Sequence, residues 1–333
     1  MPTFNGASSI HECLNALVRE TAGRDAEIVV VDDGSTDGTA DIVRQFPGSR
    51  LITQANAGPA SARNRGASEA GGQLLLFTDD DCVPAPGWLD SMLAPFDDEE
   101  VVGAKGVYRT RQSSLVARFV QIEYEDRYRR MNRFPCIDFI DTYSAAFRRD
   151  RFLELSGYDT SFPVACAEDV ELSYRMSARG WKMRFVPAAA VYHTHPDTLW
   201  KYLQKKFKFA FWRVMAVEKN PRKAVKDSHT PQTMKLQLLL VPALLVALGV
   251  DLRAHTHLLF TPLVLGMFLA SVLPFVARAL VKDPMVGILS PLLLCGRATA
   301  QFLGVAAGFV HAGYHLATAM EKRKGVARHA SAD

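Results

Sequence analysis

Ile28-Val29-Val30-Val31-Asp32-Asp33-Gly34-Ser35-Thr36-Asp37-Gly38-Thr39 decides how the first half of this chain is read. Four β-branched residues in a row read as a strand, and two acids with Gly, Ser and Thr behind them read as the loop that opens the helix-like Thr39–Phe46. The same grammar recurs downstream. Leu51 and Ile52 begin a weaker strand, Asn56–Pro59 is a turn, and Ala60–Ala70 is helix-like; Gln73–Thr78 is then an apolar strand running into Asp79, Asp80 and Asp81. Strand, helix, strand, helix, strand at this spacing predicts a doubly wound parallel sheet over residues 1 to about 105. Asp32 and Asp33, like Asp79 and Asp81, then fall at the carboxyl ends of strands, where α/β sheets open a ligand crevice.

One edge of that sheet is short of a strand. Met1–Gly6 is a turn signal leading straight into the helix-like Ser9–Val18. A strand normally feeds such a loop, so the spacing predicts that about six apolar residues are missing ahead of it.

Charge divides the chain more sharply than its formal +4 implies. Residues 1–200 carry 21 basic and 29 acidic groups, and residues 201–333 carry 18 and 6. Between Leu236 and Met320 the only charges are Asp251, Arg253, Arg278, Lys282, Asp283 and Arg297. That run excludes a wholly water-soluble protein, because Ala254–Ala277 alone is long enough to cross a hydrocarbon layer of roughly 30 Å. Disorder of the whole chain is excluded too. Cys13, Cys82, Cys136, Cys166 and Cys295 lie too far apart for a zinc knuckle or a CxxC site and read as thiols in a reducing compartment.

The segment Lys201–Lys226 holds nine Lys or Arg against one Glu, interleaved with aromatic residues. It reads as a basic helix lying on anionic headgroups rather than as a nucleic-acid site. Hydrophobic segments follow at Leu236–Val250, Leu258–Leu280 and Pro284–Met320. The positive-inside rule puts the basic belt in the cytoplasm and the tail Lys322, Arg323, Lys324 and Arg328 on the same side, which requires an even number of crossings. The third block is therefore expected to fold back as two short helices, with Arg297 near the turn or facing a protein interior. The expected organisation is a catalytic domain at 1–199, a basic aromatic interfacial region at 200–235, a transmembrane region at 236–320 and a basic tail at 321–333.

Two clusters carry chemistry. Asp79 and Asp81, two apart in a turn, can both offer oxygen to one Mg²⁺ or Mn²⁺ that bridges phosphates. Glu168 and Asp169 open a helical face and read either as acids at a helix amino terminus or as a catalytic base. His193 and His195 share one side of an extended segment, from which either reaches a metal or a phosphate.

These stretches resemble family 2 glycosyltransferases, inverting enzymes of the GT-A fold. The likeness rests on Pro2–Asn5, on VVDDGSTDGT at 30–39, on NAGPASARNRG at 56–66, on FTDDDC at 77–82 and on EDVELSYRMSARG at 168–180. The resemblance covers about residues 1–195 and implies a GT-A mixed sheet followed by membrane helices. It implies that Thr3, Phe4, Asn5, Asp33, Arg63, Asn64 and Asp80 lie along the nucleotide, and that Asp79 and Asp81, with His195, hold Mg²⁺ or Mn²⁺ on the diphosphate. Asp169 matches the base that deprotonates the acceptor hydroxyl, with Glu168 beside it. Asp141, Tyr143 and Ser144 fall on the acceptor side, where Tyr143 is placed to stack on a sugar. A carboxylate near pKa 4 is a weak base, so most of the rate enhancement is expected from the metal and from positioning. Gln204-Lys205-Lys206-Phe207-Lys208 lacks the Arg and Trp of the QxxRW of processive members, which favours transfer of a single sugar. The implied partners are a nucleotide-diphosphate sugar, a lipid-linked or surface-polysaccharide acceptor and membrane lipids. The competing readings are a metal-dependent nucleotidyltransferase, which releases pyrophosphate, and a non-catalytic membrane scaffold or transport component indifferent to the loss of Asp81 or Asp169.

Overall fold

The computed structural model describes residues 1–162, 167–221, 227–254 and 259–330, with side chains as far as 313. Cys166, residues 222–226 of the basic belt, Leu258 and the side chains of the basic tail lie outside the described residues. The chain divides into two compact units, Met1–Thr198 with Arg222–Pro231, and Leu199–Pro221 with Gln232–Asp333.

The first unit runs β1 (Pro2–Thr3), α1 (Ile10–Thr21), β2 (Ile28–Asp32), α2 (Thr39–Arg44), β3 (Ser49–Thr53), α3 (Pro59–Glu69), β4 (Leu74–Phe77), β5 (Cys82–Pro84), α4 (Trp88–Leu93), β6 (Val101–Arg109), α5 (Leu115–Met131), β7 (Ala145–Arg148), α6 (Arg149–Glu154), α7 (Glu168–Ala178) and β8 (Lys182–His193). The parallel sheet expected from the sequence is present only in part, as β1-β2-β3, because β4 leaves it and pairs antiparallel with β7. The other five strands form a mixed sheet in the order β4-β7-β6-β8-β5, parallel only between β6 and β8. The position that the sequence left without a strand is filled by two residues. Pro2 and Thr3 pair with Val31 and Asp32, and the Met1 amino group donates to the Val29 carbonyl at 2.8 Å. Ile10, Cys13, Leu14 and Leu17 of α1 share a core with Val30 of β2 and with Trp88 and Met92 of α4. Full burial of each large apolar side chain contributes about 1.5–3 kcal/mol, so the acid-bearing loops stand on a firm base.

The second unit consists of α8 (Leu199–Lys219), α9 (Gln232–Ala254), α10 (Phe260–Lys282) and α11 (Pro284–Ala330). Three of these helices contain stretches long and apolar enough to cross a membrane: Gln232–Ala254, Phe260–Lys282 and Pro284–Gly313. The expected fold-back of the third block is not found; α11 is one helix. Pro291 lies near its start, and Arg297, buried as expected of a charge in an apolar helix, donates to Gln237 of α9. Gln237 in turn donates to Ser271 of α10 at 3.2 Å. Asp251 also has a local purpose, since its carboxylate accepts from the Phe260 and Thr261 amides at 3.1 and 2.7 Å and caps α10.

The basic helix α8 packs against α11 through glycine. A Cβ on Gly304 would lie 2.4 Å from the Phe207 carbonyl oxygen, and one on Gly308 would lie 2.6 Å from that of Phe211. This small-x-x-x-small spacing lets two backbones approach closely, as apolar helices do where hydrophobicity alone gives no preference for contact. Gly304→Leu is expected to lower the thermal unfolding midpoint of the detergent-solubilised chain, at an overpacking cost of about 1–3 kcal/mol. Gly249→Leu, where nothing lies within 4 Å, is the neutral control in the same melt.

Candidate active site

Arg63 lies in α3 behind the left-handed Gly58 and the helix-opening Pro59. Its side chain is buried, and its guanidinium spans two acids far apart in sequence. One terminal nitrogen donates to Asp79 at 2.7 Å, just past the end of β4, and the other to Glu168 at 2.9 Å, at the start of α7. Burial disfavours the guanidinium charge, but Asp79 and Glu168 outweigh it and hold Arg63 charged. Glu168 is itself 2% exposed and uses its second oxygen on the Ala167 amide, so it positions its neighbour rather than facing substrate.

That neighbour, Asp169, is not an ordinary carboxylate. Burial first, then repulsion from Glu168 and Asp141, pushes its pKa well above the usual aspartate range, against the Val170 amide that donates to it at 2.7 Å. An ordinary value near 4, expected from the sequence, does not fit a carboxylate buried beside two other acids. Asp141 is paired with Lys105, a wholly buried lysine of β6 that also donates to the Tyr143 hydroxyl at 2.9 Å. Burial lowers the Lys105 pKa, with Asp141 opposing. The sequence reading missed this lysine; its one signal was a lone charge inside the apolar run Val101–Tyr108.

Two acceptor-side expectations fail. Tyr143 is buried, stacks on Tyr108 with ring centres 3.3 Å apart and shares its hydroxyl with Lys105 and Tyr128, so no face is left for a sugar. Ser144 is fully buried, accepts from the Trp88 indole at 2.9 Å and leans on the Ala189 carbonyl. It belongs to the core.

Of the residues expected along a nucleotide, Thr3 donates to Asp80 at 2.5 Å. Burial raises the Asp80 pKa to about 6, opposed by that hydroxyl and increased by Asp81 and Asp79. Phe4 is half-exposed beside this pair. Asn5, at φ 52°, latches the Asp32–Asp37 loop by accepting from the Thr36 amide at 2.9 Å while its own amide donates to Ser35. Asp33 accepts from Gln54 at 2.7 Å and from the Ala57 and Gly58 amides at 2.9 and 2.8 Å, which fixes the entry to α3 and hence Arg63. Asn64 spends both ends of its amide on the Tyr158 backbone, at 2.7 and 2.8 Å, and clamps that turn.

Asp81, Cys82 and His193 offer ligand atoms within 4.8 Å of one another, the group of such residues found among those described. His193 Nδ1 is 3.3 Å from Asp81, and His193 Nε2 is buried without a partner among the described residues. Burial pushes the Cys82 thiol up, so it stays protonated and is a poor ligand. His195, favoured from the sequence, is engaged elsewhere. Its ring meets the Gln121 carbonyl oxygen at 3.0 Å, and its backbone is held on both sides by Gln112. The reason is register, because β5 pairs with β8 so that Cys82 faces His193. Asp79 is likewise not one of this group, being held by Arg63.

Removing Arg63 leaves Glu168 buried and uncompensated. Arg63→Met is expected to cost about 3–5 kcal/mol in chemical denaturation of the solubilised chain, and Arg63→Lys to recover only part of it, since one ammonium cannot span both acids.

Residues 1–155 match the family model described as Glycosyl transferase family 2. The chain is 32% identical over 217 residues to a validoxylamine A glucosyltransferase of Streptomyces hygroscopicus subsp. jinggangensis, covering 55% of this chain and 51% of the relative. It is also 32% identical over 220 residues to the probable glycosyltransferase YdaM of Bacillus subtilis, covering 60% and 51%. The chain thus spans about half the length of these curated relatives. Among solved structures, the mannosyltransferase PcManGT of Pyrobaculum calidifontis, in complex with GDP-Man and Mn²⁺, aligns with a TM-score of 0.61 at 21% identity over 92% of this chain and 85% of its own. That likeness speaks to the fold.

Proposed function

We propose that this protein, whose residues 1–155 belong to glycosyl transferase family 2, moves one sugar, with inversion, from a nucleoside diphosphate sugar onto a hydroxyl of a lipid-linked or surface-polysaccharide acceptor. The observation that carries the reading is the Arg63 bridge, which brings Asp79, beside the acidic turn at the end of β4, together with Glu168, the neighbour of Asp169. The solved relative that shares the fold holds GDP-Man and Mn²⁺, in keeping with a donor of this class.

Each residue then has a physical task. Thr3, Phe4, Asn5 and Asp80 line the nucleotide end. Asp81 and His193 fit a divalent cation, and a carboxylate with an imidazole suits Mn²⁺ better than Mg²⁺, which favours oxygen alone. When bound, such a cation neutralises charge on the departing diphosphate. Asp169 takes the proton of the acceptor hydroxyl as its oxygen attacks the anomeric carbon from the face opposite the leaving group. Arg63 keeps the two acids at their stations, and Asp141 keeps the base strong. The helices α9–α11 hold the enzyme in the bacterial-type inner membrane. The basic belt of α8 faces anionic lipid on the cytoplasmic side, where a lipid-linked acceptor presents its hydroxyl.

Radiolabelled sugar from a donor panel should appear in the lipid fraction of membranes containing the protein; label found only in soluble products contradicts the lipid-linked acceptor. Asp169→Asn should lower turnover by about 10²–10⁴-fold with little change in thermal unfolding. Because the base must be ionised, activity falls as pH drops through the Asp169 pKa. The acidic limb should therefore lie above the ordinary aspartate value of about 4 and move to lower pH in Asp141→Asn, which removes a repelling charge.

A further inference from the structure

Tyr158 is held in every part except its hydroxyl. Its backbone amide and carbonyl are both bonded to Asn64, and the carbonyl of the preceding Gly157, at φ +67°, accepts from Arg175 of α7 at 2.7 Å. A Cβ at 157 would lie 2.3 Å from the Asn64 oxygen, so the turn accepts only glycine. The ring packs edge-on against Phe77, the last residue of β4, and against Phe152, with centroids 5.6 and 5.2 Å apart. The Arg63 guanidinium lies 5.9 Å from its centroid. Tyr158 is 2% exposed, yet its hydroxyl has no hydrogen-bond partner among the described residues.

An unpaired buried hydroxyl is costly, and a fold that fixes the rest of the residue so firmly would be served as well by phenylalanine. The charges that act on this phenol are Arg63, Asp169, Glu168 and Asp79. Burial, with those carboxylates adding and Arg63 opposing, keeps it protonated. It is therefore a neutral O–H donor on a ring beside Arg63, whose guanidinium joins Asp79 to Glu168, the neighbour of Asp169. In a transfer reaction, the group lying between the diphosphate and the attacking hydroxyl is the sugar in transit.

We propose that the Tyr158 hydroxyl donates a hydrogen bond to one hydroxyl of the transferred sugar and so helps to select the donor. This rests on the glycosyltransferase reading, whose own failure is read separately. The test uses the full chain in detergent with UDP-glucose, UDP-galactose, UDP-N-acetylglucosamine and GDP-mannose, following release of nucleoside diphosphate, and then the monodeoxy analogues of whichever donor turns over. Tyr158→Phe should lower kcat/KM for that donor about tenfold. For one deoxy analogue, the wild type and the variant should be equal. Thermal unfolding of Tyr158→Phe should be unchanged or raised, whereas a hydroxyl with a purely structural role would lower it. Equal kcat/KM for Tyr158→Phe and wild type on the parent donor, or the same loss on every analogue, overturns the proposal. Turnover that survives Asp81→Asn and Asp169→Asn overturns the transferase reading itself, and the proposal with it.

Discussion

A guanidinium buried between two carboxylates from distant parts of the chain sets the geometry of this protein. Arg63 is 4% exposed, and Glu168 is 2% exposed. At such burial neither charge is tolerated without the other, and the fold is obliged to bring α3, the end of β4 and the start of α7 to one point. The energy of that pairing is modest, since desolvation consumes most of the attraction. Its value lies in registry, because acids some ninety residues apart in sequence are fixed to a few ångströms of one another. Asp33 contributes at one remove, since its carboxylate ties down the amides ahead of α3 and so aims the helix that carries Arg63.

On either side of this bridge the structure sorts charge by purpose. At the β5–β8 edge, Asp81 and His193 form a small donor set, with Asp80 held by Thr3. Elsewhere, Lys105 and Asp141 form a buried pair backed by the stacked rings of Tyr108 and Tyr143. Asp169 stands among negative groups, while the nearby cation Arg63 is bonded to its neighbour Glu168. That arrangement gives an aspartate the basicity its model chemistry lacks.

Much of this was legible from residues alone, and the limits have physical causes. A β-branched run stopping at two acids revealed β2 and its loop, and the repeated pattern revealed β4 and the acidic turn, because those signals are local. Asp169 and Arg63 were found through motif resemblance; that a salt bridge joins their neighbourhoods is a long-range fact. His193 and His195 share one side of a strand, so alternation could not choose between them, and the choice came from the pairing of Cys82 with His193. Tyr143 read as a surface aromatic because the sequence does not show Tyr108 lying on it. Lys105 was passed over as one charge in an apolar strand, although a lone lysine there already called for a buried acid. In the second unit, the length and apolarity of the helices were plain, but charge symmetry misled. The rule that put both basic ends on one side required a fold-back at Pro291 and Arg297, whereas Gln237 satisfies Arg297 inside an unbroken helix. Gly304 and Gly308 were visible as letters, and only the packing of α8 gives them meaning.

The most direct test of the account is a double-mutant cycle on stability between Asp79→Asn and Glu168→Gln, measured by denaturation of the solubilised chain. Arg63 touches both acids, at 2.7 and 2.9 Å, and is the link between them. The account predicts a coupling of about 0.5–3 kcal/mol that vanishes when Arg63 is replaced by Met. Strict additivity of the two substitutions with Arg63 present would contradict it.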